Sequence, residues 1–138
     1  MDWTGARARL QAPIFAPLAL AVSRLPADRW PGVADLNSLA GELRTDGGRA
    51  LRFVAPRGND PLERRHYEQR IFETGEVETR AENWHDLFNA LAWLTYPKSK
   101  ASINAQHAAI LAEGGPEELR HRSPERDALT LFDEGGVI

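Results

Sequence analysis

The side chains best suited to chemistry lie in "ENWHDLFNALAWLTYPKSKASINAQH", Glu82 to His107, which reads as two helices joined at a proline. At about 100° per residue, His85, Asn89 and Tyr96 share one face of the first helix, bordered by Asp86 and Trp93. In the second helix Lys100, Asn104, His107 and Leu111 recur at three- and four-residue spacing and form one stripe. Folding the pair back at Tyr96-Pro97 brings residues equidistant from the turn level with each other. His85 and His107 are equally far from Tyr96, and Asn89 and Asn104 share nearly the same midpoint. The spacing therefore predicts a polar ladder with a histidine rung and an asparagine rung. The two imidazoles are expected within one water-bridged contact of each other.

Three kinds of chemistry fit such a ladder. In the first, Asn and His bridge the helices as a buried hydrogen-bonded network, in a structural or protein-interaction module. In the second, the two histidines and a carboxylate (Asp86, Asp127 or Asp133) hold a divalent ion. Without metal, that version makes a histidine beside a carboxylate the general base of a hydrolase. Asn89 and Asn104 would then orient the substrate. His85 and Asp86, as helix neighbours, are expected to point about 100° apart. The third is binding of a partner or a small anion, the anion at the start of the second helix with Lys98 and Lys100 beside its open N–H groups. Arg80, Arg122 and Arg126 would add bidentate contacts. Catalytic candidates are thus His85, Asp86 and His107, and binding candidates are Arg80, Asn89, Lys100, Asn104 and Arg126. The sequence names neither a metal nor a cofactor, and leaves open whether there is any catalysis.

The elements that must position these groups are legible in outline. The first helix is expected from Asn83 to Thr95, burying Trp84, Leu87, Phe88, Leu91 and Leu94. The second starts at Pro97, a favoured first helical position, and ends before "EGGP". Its Ala101, Ala105, Ala108, Ala109 and Ala112 form a small-residue face for close helix contact. Upstream, residues 1–30 are expected to hold one short helix and extended chain, with "APIFAPLALAV" (Ala12–Val22) as buried core. "WPGVADLNSLAGELR" reads as a helix capped by Asp35, striped by Leu36, Leu39, Ala40 and Leu43, and ended by "DGG". "RALRFVAP" reads as a strand, and a helical pattern runs after Pro61 through Tyr67 and Ile71 to Gly75. "ETGEVETR" is a turn with a short extended piece. Downstream, Ser123 caps a helical turn begun by Pro124. "ALTLF" alternates like a strand and "DEGG" like a hairpin turn, with Asp127 and Asp133 as turn and cap residues. Only Val137 and Ile138 remain for the returning strand, so a C-terminal continuation after Ile138 is expected.

Composition narrows the classes. The chain has 138 residues, enough for one domain with a real core. It has no cysteine, which excludes disulfides, thiolate metal sites and cysteine nucleophiles. Its net charge is −3, and no basic stripe emerges, so no nucleic-acid partner is expected. The longest apolar run is about half a membrane span and is broken by Pro13 and Pro17. No membrane association is expected, and the location expected is cytoplasmic. Only Lys98 and Lys100 are lysine, and both fall in the stretch quoted above. Trp93 reads as core, and His66 and His121, flanked by arginines, as surface. There is no glycine-rich phosphate loop, no G-x-S-x-G and no H-E-x-x-H.

"NWHDLFNAL", "WLTYPKSKASIN" and "RDALTLFDE" resemble the corresponding segments of a bacterial family catalogued as a domain of unknown function, the one numbered 3025. The resemblance covers most of Tyr67–Ile138 and, more loosely, "WPGVADLN" and "RALRFV". It implies that Arg80, Asn83, Trp84, His85, Asp86, Asn89, Lys100, Asn104, His107, Arg126, Asp127, Asp133 and Glu134 matter, and it implies no activity. Members generally continue past the position of Ile138. The fold expected is α+β, mostly helical: a single domain over residues 1–138 built round a central antiparallel helical hairpin, with a few short strands. The function expected is a polar groove between two helices that binds a small anionic ligand or a metal. The sequence is silent on oligomeric state.

Overall fold

In the computed structural model, which describes residues 2–58, 67–114 and 123–135, seven α-helices and two short strands are present among the described residues. The N-terminal segment is more helical than expected. α1 (Trp3–Arg9) is capped by Asp2, whose carboxylate accepts from the N–H groups of Thr4 and Gly5. A 3-10 turn (Pro13–Leu18) then runs into α2 (Ala19–Ser23). The apolar run Ala12–Val22 is not buried core: only Val22 is buried, and Ile14 is 80% exposed. Its two prolines hold it in a tight three-residue turn that spreads side chains around the axis, so only Phe15, Leu18 and Ala21 also reach the core.

α3 (Val33–Ala40) is capped by Gly32, not Asp35. Asp35 works from inside the first turn, accepting from the Gly32 N–H at 2.8 Å and pairing with Arg29. Helix α3 stops at Gly41, where φ is 55°, before the "DGG" expected to end it. Leu36 and Ala40 are buried, with Leu39 and Leu43 packed beside them. Asn37 holds the free edge of β1 (Arg52–Val54), donating to Phe53 O at 2.8 Å and accepting from Phe53 N at 2.7 Å.

β1 pairs in parallel with β2 (Glu76–Glu78), Phe53 opposite Val77, and both residues are 1% exposed. A parallel pair needs a long crossover, and the crossover here contains α4 (Tyr67–Thr74). Gly75 closes α4 at φ 78°, its N–H bonded to Ile71 O. α5 (Trp84–Thr95) starts at its Asn83 cap as expected, and α6 (Pro97–Gly114) follows at the proline. An aromatic row, Trp3–Trp30–Trp84–Phe88–Phe15, with centroids 4.9 to 5.6 Å apart, ties the N-terminal segments to α5.

One expectation about α6 holds only in part, and one about the C-terminal segment is overturned. In α6 the polar stripe Lys100, Asn104, His107 and Leu111 is buried together with Ala101, Ile103 and Ala108, so the alanine face is buried only in part: Ala105 is half-buried, and Ala109 and Ala112 are exposed. Further on, "ALTLFDEG" is not a hairpin: residues Pro124–Gly135 form α7, with the Ser123 hydroxyl accepting from Arg126 N. Five alternating residues also satisfy a helix, and here Arg126, Leu129, Thr130 and Asp133 turn inward while Leu131 and Phe132 are exposed. His66, His121, Arg122 and the expected returning strand lie outside the described residues. Among the described residues no helix is long and apolar enough to cross a membrane.

Gly75 gives a direct check of the α4–β2 junction. A Cβ there would sit 2.0 Å from Ala50 O at φ 78°, whereas at Gly41 it would meet nothing within 4 Å. Gly75→Ala is expected to lower the unfolding free energy by roughly 3 kcal/mol in urea titration, and Gly41→Ala by about 1 kcal/mol. Equal costs would contradict the packing of this junction.

Candidate functional site

α4, α5, α6 and α7 surround a cavity of about 520 Å³, within the range of small-molecule sites. Its polar wall carries Glu68 from α4, His85 and Asn89 from α5, Lys100 and His107 from α6, and Asp133 from α7. Tyr67, Phe88, Ala92 and Thr130 complete the lining.

Lys100 is the centre of this wall. It is 7% exposed, and a buried ammonium must be surrounded by acceptors or lose its charge. Its Nζ donates to both carboxylate oxygens of Asp133 at 2.8 and 3.0 Å and to Asn89 Oδ1 at 2.8 Å. It also lies 5.7 Å from the centroid of the Trp93 ring. Asp133, read from sequence as a turn residue, is thus the partner that fastens α7 to α6. Lys98, its expected companion, is exposed.

The asparagine rung does not form. Lys100 takes Asn89 Oδ1 as an acceptor for its charge, and Asn89 Nδ2 donates to the Tyr67 hydroxyl at 3.1 Å. Asn104, one turn further along α6, faces α4 instead: its Nδ2 donates to Glu68 O and to Glu68 Oε2, both at 2.7 Å. Asn104 Oδ1 is buried with no hydrogen-bond partner among the described residues. Helix α4, absent from the expected site, supplies a partner to each asparagine.

At the other end, Asp86 sits behind His85. Its carboxylate accepts from the Arg80 backbone N–H, Nε and Nη2 at 2.8, 2.8 and 3.0 Å. Against the expected divergence of neighbouring side chains, His85 Nδ1 lies 3.1 Å from Asp86 Oδ1. Helical side chains lean towards the N-terminus, which lets both groups fold back over the first turn, where Arg80 waits. The chain reaches this turn through Glu82 at φ 50°. Burial opposes the charge on Asp86, but the Arg80 side chain and N–H and the His85 ring outweigh it and hold its pKa down at about 2. Asp86 is nearly buried while the His85 side chain is 70% exposed. Glu68 behaves in the opposite sense: burial pushes its carboxyl up, and the Asn104 hydrogen bond and the Lys100 charge only partly offset this. Burial also pushes the Tyr67 hydroxyl up.

Of the catalytic candidates, His85 and His107 share the cavity wall and Asp86 backs His85. Of the binding candidates, Asn89 and Lys100 line the cavity. Arg80 is held by Asp86, Asn104 by Glu68, and Arg126 is buried on α7. Two of the cations expected to meet an anion, Arg80 and Lys100, already hold carboxylates. Among the described residues no group of three or more His, Asp or Glu side chains is placed to hold a metal ion, so the histidine pair has no third ligand there. Sequence reasoning missed Tyr67, Glu68 and Thr130. The signal for Glu68 was its position three residues before the buried Ile71, on the inward face of α4.

The model of the family described as protein of unknown function (DUF3025) matches residues 51–138. The chain belongs to this family. All the cavity residues fall within the matched segment, whereas Trp3, Val22 and Leu36 of the core precede it. No curated protein and no solved structure gives a significant match.

The Lys100–Asp133 pair is open to test by stability. Asp133→Leu alone leaves a buried ammonium without its counter-charge and is expected to cost about 3 kcal/mol. Lys100→Met combined with Asp133→Leu is expected to recover most of that loss in urea titration. A single variant as stable as wild type would contradict burial of the pair.

Proposed function

We propose that the cavity binds a small polar organic molecule and that His85, oriented by Asp86, is its acid–base group. One observation carries this reading: an imidazole on the cavity wall has Nδ1 against a carboxylate that three Arg80 contacts keep ionised. The Asp86 contact favours the tautomer with the proton on Nδ1, so exchange with a ligand passes through Nε2. The reading takes α5 and α6 as an antiparallel hairpin. The Lys100–Asn89 bond and the two histidines on one wall support that arrangement. His107, 3% exposed, is a wall group deeper in the protein. An anionic ligand has less support than an uncharged one, because Lys100 and Arg80 are engaged by carboxylates.

A structural role for the ladder is favoured by a different observation. Lys100 and Asn104 are buried, and their donors go to protein groups. On that reading the polar wall fixes the packing of four helices and the cavity has no occupant. His85 separates the two, because its exposed side chain contributes little to packing.

The test is protein-observed NMR with a panel of small alcohols, amides, carboxylates and inorganic phosphate, read at the His85 and His107 rings. At least one class is expected to shift both rings, and His85→Ala to weaken its binding about tenfold, roughly 1.4 kcal/mol. Rings unmoved by every probe, or binding indifferent to His85→Ala, would leave the structural reading.

A further inference from the structure

We infer that Tyr67 is the ligand-binding donor of the cavity, its hydroxyl hydrogen turned by a Lys100–Asn89 relay towards the carbonyl oxygen of an uncharged ligand. The inference rests on the cavity being a ligand site and adds the class of ligand and the residue that selects it.

The direction of each bond in the relay follows from its first member. An ammonium only donates, and Lys100 Nζ lies 2.8 Å from Asn89 Oδ1. The opposite orientation of the amide would set Nδ2 against Nζ, donor against donor. Asn89 therefore turns Nδ2 away from Lys100, and that nitrogen lies 3.1 Å from the Tyr67 hydroxyl. An amide N–H also only donates, so the Tyr67 oxygen accepts here. Its own hydrogen must point elsewhere, and among the described residues no group accepts it. Tyr67, Asn89 and Lys100 all line the cavity, so the relay runs along the wall and leaves this hydrogen to a molecule in the cavity. Each donation in such a chain strengthens the next, and the charge at its start makes Tyr67 a better donor than an isolated phenol.

The rest of the wall selects the acceptor. Lys100 is the only Lys or Arg among the described lining residues, and Asp133 holds it at 2.8 Å. Two carboxyl groups, Glu68 and Asp133, stand on the same wall. A carboxylate or phosphate entering the cavity would give up its hydration without meeting an unmatched cation there. A carbonyl oxygen needs one directional donor and no counter-charge, and Phe88 and Ala92 offer apolar surface to the rest of the ligand. A phenol, with an ordinary pKa of about 10, keeps its proton at neutral pH. Burial and the charges of Glu68, Asp86 and Asp133 push the Tyr67 hydroxyl up further, against the Asn89 bond. Tyr67 thus serves as a donor and leaves proton exchange to His85.

The experiment titrates the whole chain with acetone, acetamide, acetate and inorganic phosphate, read at the His85 and His107 rings by NMR. Acetone and acetamide are expected to bind at least tenfold more tightly than acetate or phosphate. Tyr67→Phe, which removes the donor, is expected to weaken acetamide about tenfold, roughly 1.4 kcal/mol. Asn89→Asp keeps the shape and still accepts from Lys100, but it sets an acceptor where Nδ2 was. Tyr67 then donates to the new carboxylate, its hydrogen is withdrawn from the cavity, and the same tenfold loss is expected. The double variant is expected to lose no more than either single, because both remove one donor. Urea titration checks that each variant is folded, and Asn89→Asp carries the test if Tyr67→Phe is not. A merely structural Asn89 would leave binding unchanged in Asn89→Asp. If acetamide binds wild type and the folded variants alike, if the two losses multiply to about a hundredfold, or if an anion binds as tightly as acetamide, the inference falls and the cavity reading stands. If no probe moves any cavity residue in wild type, both fall.

Discussion

A buried ammonium organises this half of the molecule. Lys100 cannot keep its charge inside the protein without acceptors on several sides. Asp133, Asn89 and the Trp93 ring supply them from α7 and α5. Meeting that demand sets where α7 lies on α6 and fixes the Asn89 rotamer. Asn89 then reaches Tyr67, and Asn104 reaches Glu68, so α4 is drawn onto the same two helices. The cavity is what remains between four helices whose inner faces are committed to polar bonds instead of close apolar packing.

Two acids at the site are displaced in opposite directions, Glu68 on the wall and Asp86 behind His85. Asp86 is ionised by its three contacts to Arg80, whereas Glu68 is desolvated faster than Asn104 can compensate. Such divergence between neighbouring carboxyls is the usual physical basis for separate acid and base roles. Buried ion pairs can also be purely structural, and Lys100–Asp133 fastens α7 to α6. The distinguishing feature of the His85–Asp86 pair is exposure. A histidine side chain 70% open to solvent on the cavity wall, backed by a nearly buried carboxylate, is placed to meet a ligand.

Helix periodicity made the α5–α6 region legible from sequence. The Asn83 cap, the Pro97 start, and the inward stripe of Lys100, Asn104, His107 and Leu111 all lie where spacing puts them. The rungs were not legible, because level positions in a helix pair bond each other only when neither has a better partner. Here a charged donor on α6 and a third helix took both asparagines. Chain separation hid the rest: Glu68 is 36 residues from Asn104, and Asp133 is 33 from Lys100. Helix α7 was misread because "ALTLF" is too short to separate a period of two from one of 3.6. The Ala12–Val22 run misled through composition, since its prolines dictate a conformation that cannot bury it.

The central claim is that Asp86 sets the His85 ring for proton exchange through Nε2. The most direct measurement is the 15N shifts of the His85 ring nitrogens, followed from acid to alkaline pH in wild type and Asp86→Asn. The account predicts a neutral form protonated at Nδ1 in wild type, with the mixture shifting towards protonation at Nε2 when Asp86 is replaced. A neutral His85 protonated mainly at Nε2 in wild type, or a tautomer ratio unchanged by Asp86→Asn, would contradict it.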